Sequence, residues 1–102
     1  MLKTFRSYQL AVEFYKTTRE LRAPHGLTDQ LGRAASSVAL NLAEGSGKSS
    51  TRDRLRFYEI ALGSVRECEA VMDIIEYSGP ATEVLDRLAR NVFTLCRTLK
   101  RG

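Results

Sequence analysis

Tryptophan is absent from this 102-residue chain, histidine occurs once, and cysteine and proline occur twice each. One histidine (His25) and two cysteines far apart in sequence (Cys68 and Cys96) fall short of the usual ligands of a structural zinc site. Each cysteine sits in a run of helical periodicity, which reads as a packed free thiol. No stretch approaches the ~20 apolar residues of a membrane span. Residues 1–10 mix Lys3, Arg6 and Gln9 among their apolar neighbours and form no secretory signal core, so a cytoplasmic protein is expected. With 43% hydrophobic and 27% charged residues, the chain is too apolar for a disordered one and suits a single globular domain over 1–102.

Few prolines and glycines leave room for long elements, and the turn signals cut the chain into four. The first helix is expected over 5–22, with Thr4 as N-cap, ending before Ala23-Pro24-His25-Gly26. The second follows Thr28 and ends at Gly45, a residue suited to a helix C′ position. After the loop Ser46-Gly47-Lys48-Ser49, Ser50 or Thr51 caps a third helix reaching about residue 77. Ser78-Gly79-Pro80 stops it, and Pro80 opens the fourth. Apolar residues recur every three or four positions: Leu27, Leu31, Ala34, Val38 and Leu42 in the second helix, and Ala81, Leu85, Leu88, Val92, Leu95 and Leu99 in the fourth. In the third they are Leu55, Tyr58, Leu62, Val65, Met72 and Ile75. No segment alternates with the period of a strand. Short connections favour antiparallel neighbours, so the pattern predicts an all-α, up-down-up-down four-helix bundle.

The third helix carries a second apolar row, Phe57, Ile60, Ala61, Ser64, Cys68, Val71 and Ile74. The second helix is dense in small residues and directs Leu40 away from Val38 and Leu42. Either a wide core absorbs both rows, or the second and third helices also line a self-association surface. A polar row, Arg33, Ser37, Asn41 and Glu44, lies on one face of the second helix. It reads as a solvated side or as a hydrogen-bonded row in a close-packed contact.

Chemistry is hard to find. Gly45-Ser-Gly-Lys-Ser-Ser has the look of a phosphate-binding loop, but Leu42 stands where the first glycine of that motif belongs, and a helix precedes it instead of a strand. No Glu-x-x-His occurs, which excludes the usual di-iron bundle. His25 has no nucleophile spaced beside it, no acid–base pair can be argued, and no cofactor is implied. A non-enzymatic protein is the expectation.

Charge is more informative. Sixteen Lys and Arg against twelve Asp and Glu give a net +4, and the first and fourth helices are the basic pair. Arg90, Arg97 and Arg101 share one face of the fourth helix, with Arg87 and Lys100 close by. Lys48, Arg52, Arg54 and Arg56 surround the start of the third. Cations there oppose the helix dipole by ~0.3–1 kcal/mol each, so local stability did not select them. A phosphate backbone would offset that cost; solvated charges paired with Asp53 and Glu59 are the plainer reading for any one residue.

Two stretches carry a family resemblance. Residues 30–48, Gln-Leu-Gly-Arg-Ala-Ala-Ser-Ser-Val-Ala-Leu-Asn-Leu-Ala-Glu-Gly-Ser-Gly-Lys, resemble the signature of the four-helix-bundle proteins encoded in intervening sequences of bacterial 23S ribosomal RNA. Residues 57–69, Phe-Tyr-Glu-Ile-Ala-Leu-Gly-Ser-Val-Arg-Glu-Cys-Glu, are similar to the second signature. The family is in turn similar to the accessory variability proteins of diversity-generating retroelements, pentameric barrels that bind nucleic acid and a reverse transcriptase. The resemblance puts Arg33, Asn41, Glu44, Gly45, Gly63, Ser64 and Glu67 at characteristic positions and implies a homopentameric ring. The expectation is an oligomeric, non-enzymatic RNA- or DNA-binding accessory protein acting mainly by electrostatics, with a reverse transcriptase or another protein as a further partner. Its binding residues would be Lys48, Arg52, Arg54, Arg56, Arg87, Arg90, Arg97 and Arg101. Its subunit contacts would be Arg33, Ser37, Leu40, Asn41, Glu44, Phe57, Ser64 and Glu67. The rival expectation is a protein–protein scaffold with no nucleic-acid role.

Overall fold

A computed structural model describes residues 2–23 and 26–102; Pro24 and His25 lie outside the described residues, and so does the reading of His25. After a 3-10 turn at Leu2–Thr4 come four α-helices: α1 (Arg6–Thr18), α2 (Leu27–Ser46), α3 (Thr51–Ile74) and α4 (Pro80–Arg101). No strand occurs among the described residues. Consecutive helices pack together and α1 closes on α4. The radius of gyration is 13.3 Å and the long dimension 41 Å, close to the ~36 Å length of α3. No helix among the described residues is long and apolar enough to cross a membrane.

The predicted stripes form the core. Leu10 and Phe14 of α1, Leu31, Val38 and Leu42 of α2, Val65 and Val71 of α3, and Leu88 and Val92 of α4 are buried in one cluster. The second row of α3 divides. Ala61, Cys68 and Val71 are buried, whereas Ile60 and Ile74 are exposed. The core of α3 therefore draws on both rows: Leu55, Leu62 and Ile75 of the first are only half-buried, and Ile60 and Ile74 of the second are left in solvent.

The helix ends differ from the sequence expectation in instructive ways. Thr4 lies in the 3-10 turn, and Phe5, the N-cap of α1, offers no side-chain cap. α1 stops at Thr18, where Thr17 and Thr18 turn their hydroxyls back onto the carbonyls of Phe14 and Tyr15, a local competition that weakens helix continuation. Thr28 is already inside α2; its hydroxyl instead accepts from the amide of Ala23 at 2.7 Å. Gly45 is not a terminal glycine, because α2 continues through Ser46. Ser50 is the N-cap of α3 and accepts from the Asp53 amide at 3.1 Å.

α3 ends at Ile74 rather than near residue 77, by a Schellman motif without glycine. Glu76 takes the left-handed position at φ 53°, its amide donates to Asp73 O and the Tyr77 amide donates to Met72 O. Tyr77 then serves the next helix. Gly79, the N-cap of α4, has no side chain to offer and Pro80 has no N–H, so the Ala81 amide donates to the Tyr77 hydroxyl at 3.2 Å.

Candidate nucleic-acid interface

The two basic clusters foreseen in the sequence lie in different electrostatic surroundings. At the α2–α3 connection Lys48 pairs with Glu44 at 3.1 Å, and its Nζ lies 5.2 Å from the centre of the Phe57 ring. The Arg56 guanidinium lies 4.9 Å from the same ring. Arg54 Nε donates to the Lys48 carbonyl at 2.8 Å, tying the loop to the first turn of α3. Its charge also works against the burial that raises the Tyr58 pKa. Arg52 and Arg56 border an open groove with Ser50, Asp53, Leu55 and Glu59. Of this cluster, three cations are thus engaged in holding the loop and Phe57, while Arg52 remains open to solvent.

On α4 two of the five cations are in ion pairs. Arg87 pairs with Glu83 at 2.8 Å, and Lys100 with Glu59 of α3 at 2.9 Å; the latter carboxylate raises the Lys100 pKa through its hydrogen bond. Among the described residues Arg90, Arg97 and Arg101 have no acidic partner within ion-pair distance. Arg97 instead lies 5.8 Å from the ring of Phe93, which is 46% exposed. Arg90 borders two grooves, one on each flank of α4. The first, about 350 Å³, is shared with Arg66, Glu69, Asp86, Ala89 and Phe93. The second, about 410 Å³, includes Arg6, Ser7, Asn91, Thr94 and Thr98, and at its edge Ser7 donates to Asn91 Oδ1 at 3.3 Å. The sequence reading did not single out Phe93; its signal was an aromatic three residues after Arg90 and four before Arg97, off the apolar stripe.

The residues foreseen as subunit contacts fall along the α2–α3 pair. Ser37 and Ser64 share a hydrogen bond of 2.8 Å across the two helices, and Asn41 Nδ2 donates to the Ser37 carbonyl and hydroxyl at 2.9 and 3.1 Å. Gln30 donates to Glu67 at 3.2 Å. Within the chain, then, Ser37, Asn41 and Ser64 bond to one another. Arg33 is exposed, and Glu44 turns to Lys48. Phe57 is half-buried beneath its two cations, whereas Leu40 is 68% exposed. Gly45 is buried where α2 crosses α3. A β-carbon there would lie 2.6 Å from Tyr58 Cε1, so the close approach requires glycine.

Neither thiol is poised for chemistry. Burial, with Glu67 and Glu69 adding to it, pushes the Cys68 pKa up to about 12, and burial also raises that of Cys96. A thiol held protonated is a poor nucleophile. Among the described residues no cluster of three His, Cys, Asp or Glu is arranged to hold a metal ion.

Four helices around one apolar core, with solvent-facing arginines on α4, define a small all-helical bundle of the kind expected from the two signatures. The family of 23S rRNA-intervening sequence proteins matches residues 4–101, and the chain belongs to that family. No curated protein sequence matches it.

Proposed function

We propose that this chain is a non-enzymatic, oligomeric accessory protein that binds RNA or DNA chiefly through phosphate contacts. The observation that carries the reading is the set of exposed arginines on α4, Arg90, Arg97 and Arg101, in no ion pair among the described residues, with Arg90 bordering two grooves. Membership of a family named for ribosomal RNA intervening sequences agrees with an RNA-associated role. Arg52, with Lys48, Arg54 and Arg56 behind it, supplies a second basic region at the α2–α3 connection. The antiparallel up-down-up-down course is supported by its short connections and by the order of the contacts Gln30–Glu67, Ser37–Ser64 and Gly45–Tyr58 along α2 and α3. In this reading the protein works in the cytoplasm and serves an RNA element or a reverse transcriptase.

Assembly into a ring, five copies by the family resemblance, uses the outer side of α2 and α3. Leu40, Ile60 and Ile74 are exposed there, and Gly32 and Gly63 face open space. Glycine inside a helix costs roughly 0.5–1 kcal/mol relative to alanine, a cost the packing within this chain does not offset. The same exposed apolar residues favour the second reading, a scaffold that presents this side to a partner protein.

Light scattering on a sizing column, with absorbance at 260 and 280 nm in low and high salt, tests the reading first. The lack of tryptophan keeps the protein signal weak and exposes carried nucleic acid. An oligomer with nucleic acid that salt removes is the expected result, with log affinity falling linearly against log salt. A nucleic-acid-free oligomer with no affinity for added RNA or DNA would refute it in favour of the scaffold.

A further inference from the structure

We propose that the outer face of α4 is a stacking platform for single-stranded RNA or DNA, in which a base lies on Phe93 and the flanking phosphates lie on Arg90 and Arg97. This rests on the nucleic-acid reading above and specifies the form of nucleic acid and the residues that hold it.

The chain has four phenylalanines, and Phe93 is the one among the exposed large apolar residues. Its ring does nothing for the core, whose α4 contribution comes from Ala81, Leu85, Leu88, Ala89, Val92 and Cys96. Positions 90, 93, 97 and 101 follow a spacing of three, four and four, which puts them on one side of a helix. Arg90 to Arg101 spans about 16 Å along the axis, so the cations lie before and after the ring along the path of a strand. Phe57 makes the contrast. It is half-buried, with both Lys48 and Arg56 over its ring at 5.2 and 4.9 Å, and its Cβ backs onto Gly45, whereas Phe93 has Arg97 over it at 5.8 Å. Among the phenylalanines, Phe93 combines solvent exposure with neighbouring arginines that are in no ion pair among the described residues.

A base stacked on an aromatic ring with arginine beside it is the recurrent solution for single strands, since every base has a π-face and a duplex hides it. A second copy of this chain is a poorer occupant. Residues 79–102 carry five basic and two acidic side chains, so copies meeting through this face would bring arginine towards arginine, whereas the apolar, glycine-containing side of α2 and α3 has no such repulsion.

Phe93→Trp tests the proposal directly, because it introduces the chain's sole indole. The intact protein is titrated at fixed salt with a single-stranded oligonucleotide, with its duplex, and with an abasic strand of equal length. Saturable quenching by the single strand and much weaker quenching by the other two is the expected result. In parallel, Phe93→Ala should weaken single-strand binding roughly ten- to hundredfold with an unchanged salt slope, Phe93→Tyr should restore it, and Arg97→Gln should lower the slope by about one. Equal affinity of the wild type for abasic and normal strands, together with no effect of Phe93→Ala, would overturn the platform while leaving electrostatic binding intact. Absence of binding to every oligonucleotide would overturn both. A smaller oligomer for Phe93→Ala on the sizing column would also overturn it, assigning the ring to a contact between copies.

Discussion

Replacing Gly45 by alanine isolates a close approach of α2 to α3. In an open helical position this change stabilises by about 0.5–1 kcal/mol. Here the added carbon would meet Tyr58 Cε1 at 2.6 Å, Tyr58 Cδ1 at 2.8 Å and Phe57 Cβ at 3.2 Å. The tyrosine cannot swing clear, because it is only 5% exposed and its ring packs against Phe5 with centroids 6.0 Å apart. Overpacking of this kind costs about 1–3 kcal/mol, so the clash wins and Gly45→Ala should destabilise by about 1 kcal/mol net. For a domain of this size that lowers Tm by roughly 4–8 °C. Gly32→Ala is the control: nothing lies within 4 Å of its added carbon, so it should gain stability. The assay is urea unfolding followed by far-ultraviolet circular dichroism, repeated across protein concentrations so that self-association is separated from folding. Tyr58→Leu in the Gly45→Ala background should recover at least ~0.5 kcal/mol relative to the sum of the single changes. Gly45→Ala as stable as the parent, or additive with Tyr58→Leu, would refute the close-packing account of this glycine.

Other consequences are checked as simply. Cys68 keeps its proton in the fold up to about pH 12 but loses it near 9 when unfolded, so its contribution is fully present below pH 9. Stability should then fall by up to about 1.4 kcal/mol per pH unit above that, and Cys68→Ala should flatten the dependence seen in alkaline denaturation. Both thiols should resist a disulfide reagent at pH 8 until the protein unfolds. Tyr77→Phe leaves the Ala81 amide without its cap and should cost about 1 kcal/mol in thermal or urea unfolding. Leu40→Asp combined with Ile60→Asp should lower the oligomeric state by light scattering while helical content stays constant; unchanged assembly would count against the α2–α3 side as the subunit contact.

Much of this protein was legible in its residue order. Apolar positions repeating every three or four residues required helices, and the spacing of Ala81, Leu85, Leu88 and Val92 identified the buried side of α4. The pair Ser50-Thr51 and Pro80 marked the starts of α3 and α4 because a hydroxyl cap and a fixed φ act locally, and the structure made Ser50 the cap. The end of α3 was not legible, since Glu76 occupies a left-handed position normally marked by glycine and the motif is closed by backbone bonds from Glu76 and Tyr77. The role of Gly45 was not legible either: as a residue it reads as a helix end, and only the Tyr58 ring against it makes it an interior contact. The same holds for the two rows of α3. Periodicity gives the angle of each side chain about its own axis but not where the neighbouring helices stand. The bundle decided that Ala61 and Cys68 are core while Ile60 and Ile74 face water. It likewise decided that Lys48 and Arg54 are spent on the loop while Arg90 and Arg97 stay out of ion pairs and Arg97 lies over the exposed Phe93 ring, because an ion pair or a covered ring depends on which groups folding brings within a few ångströms.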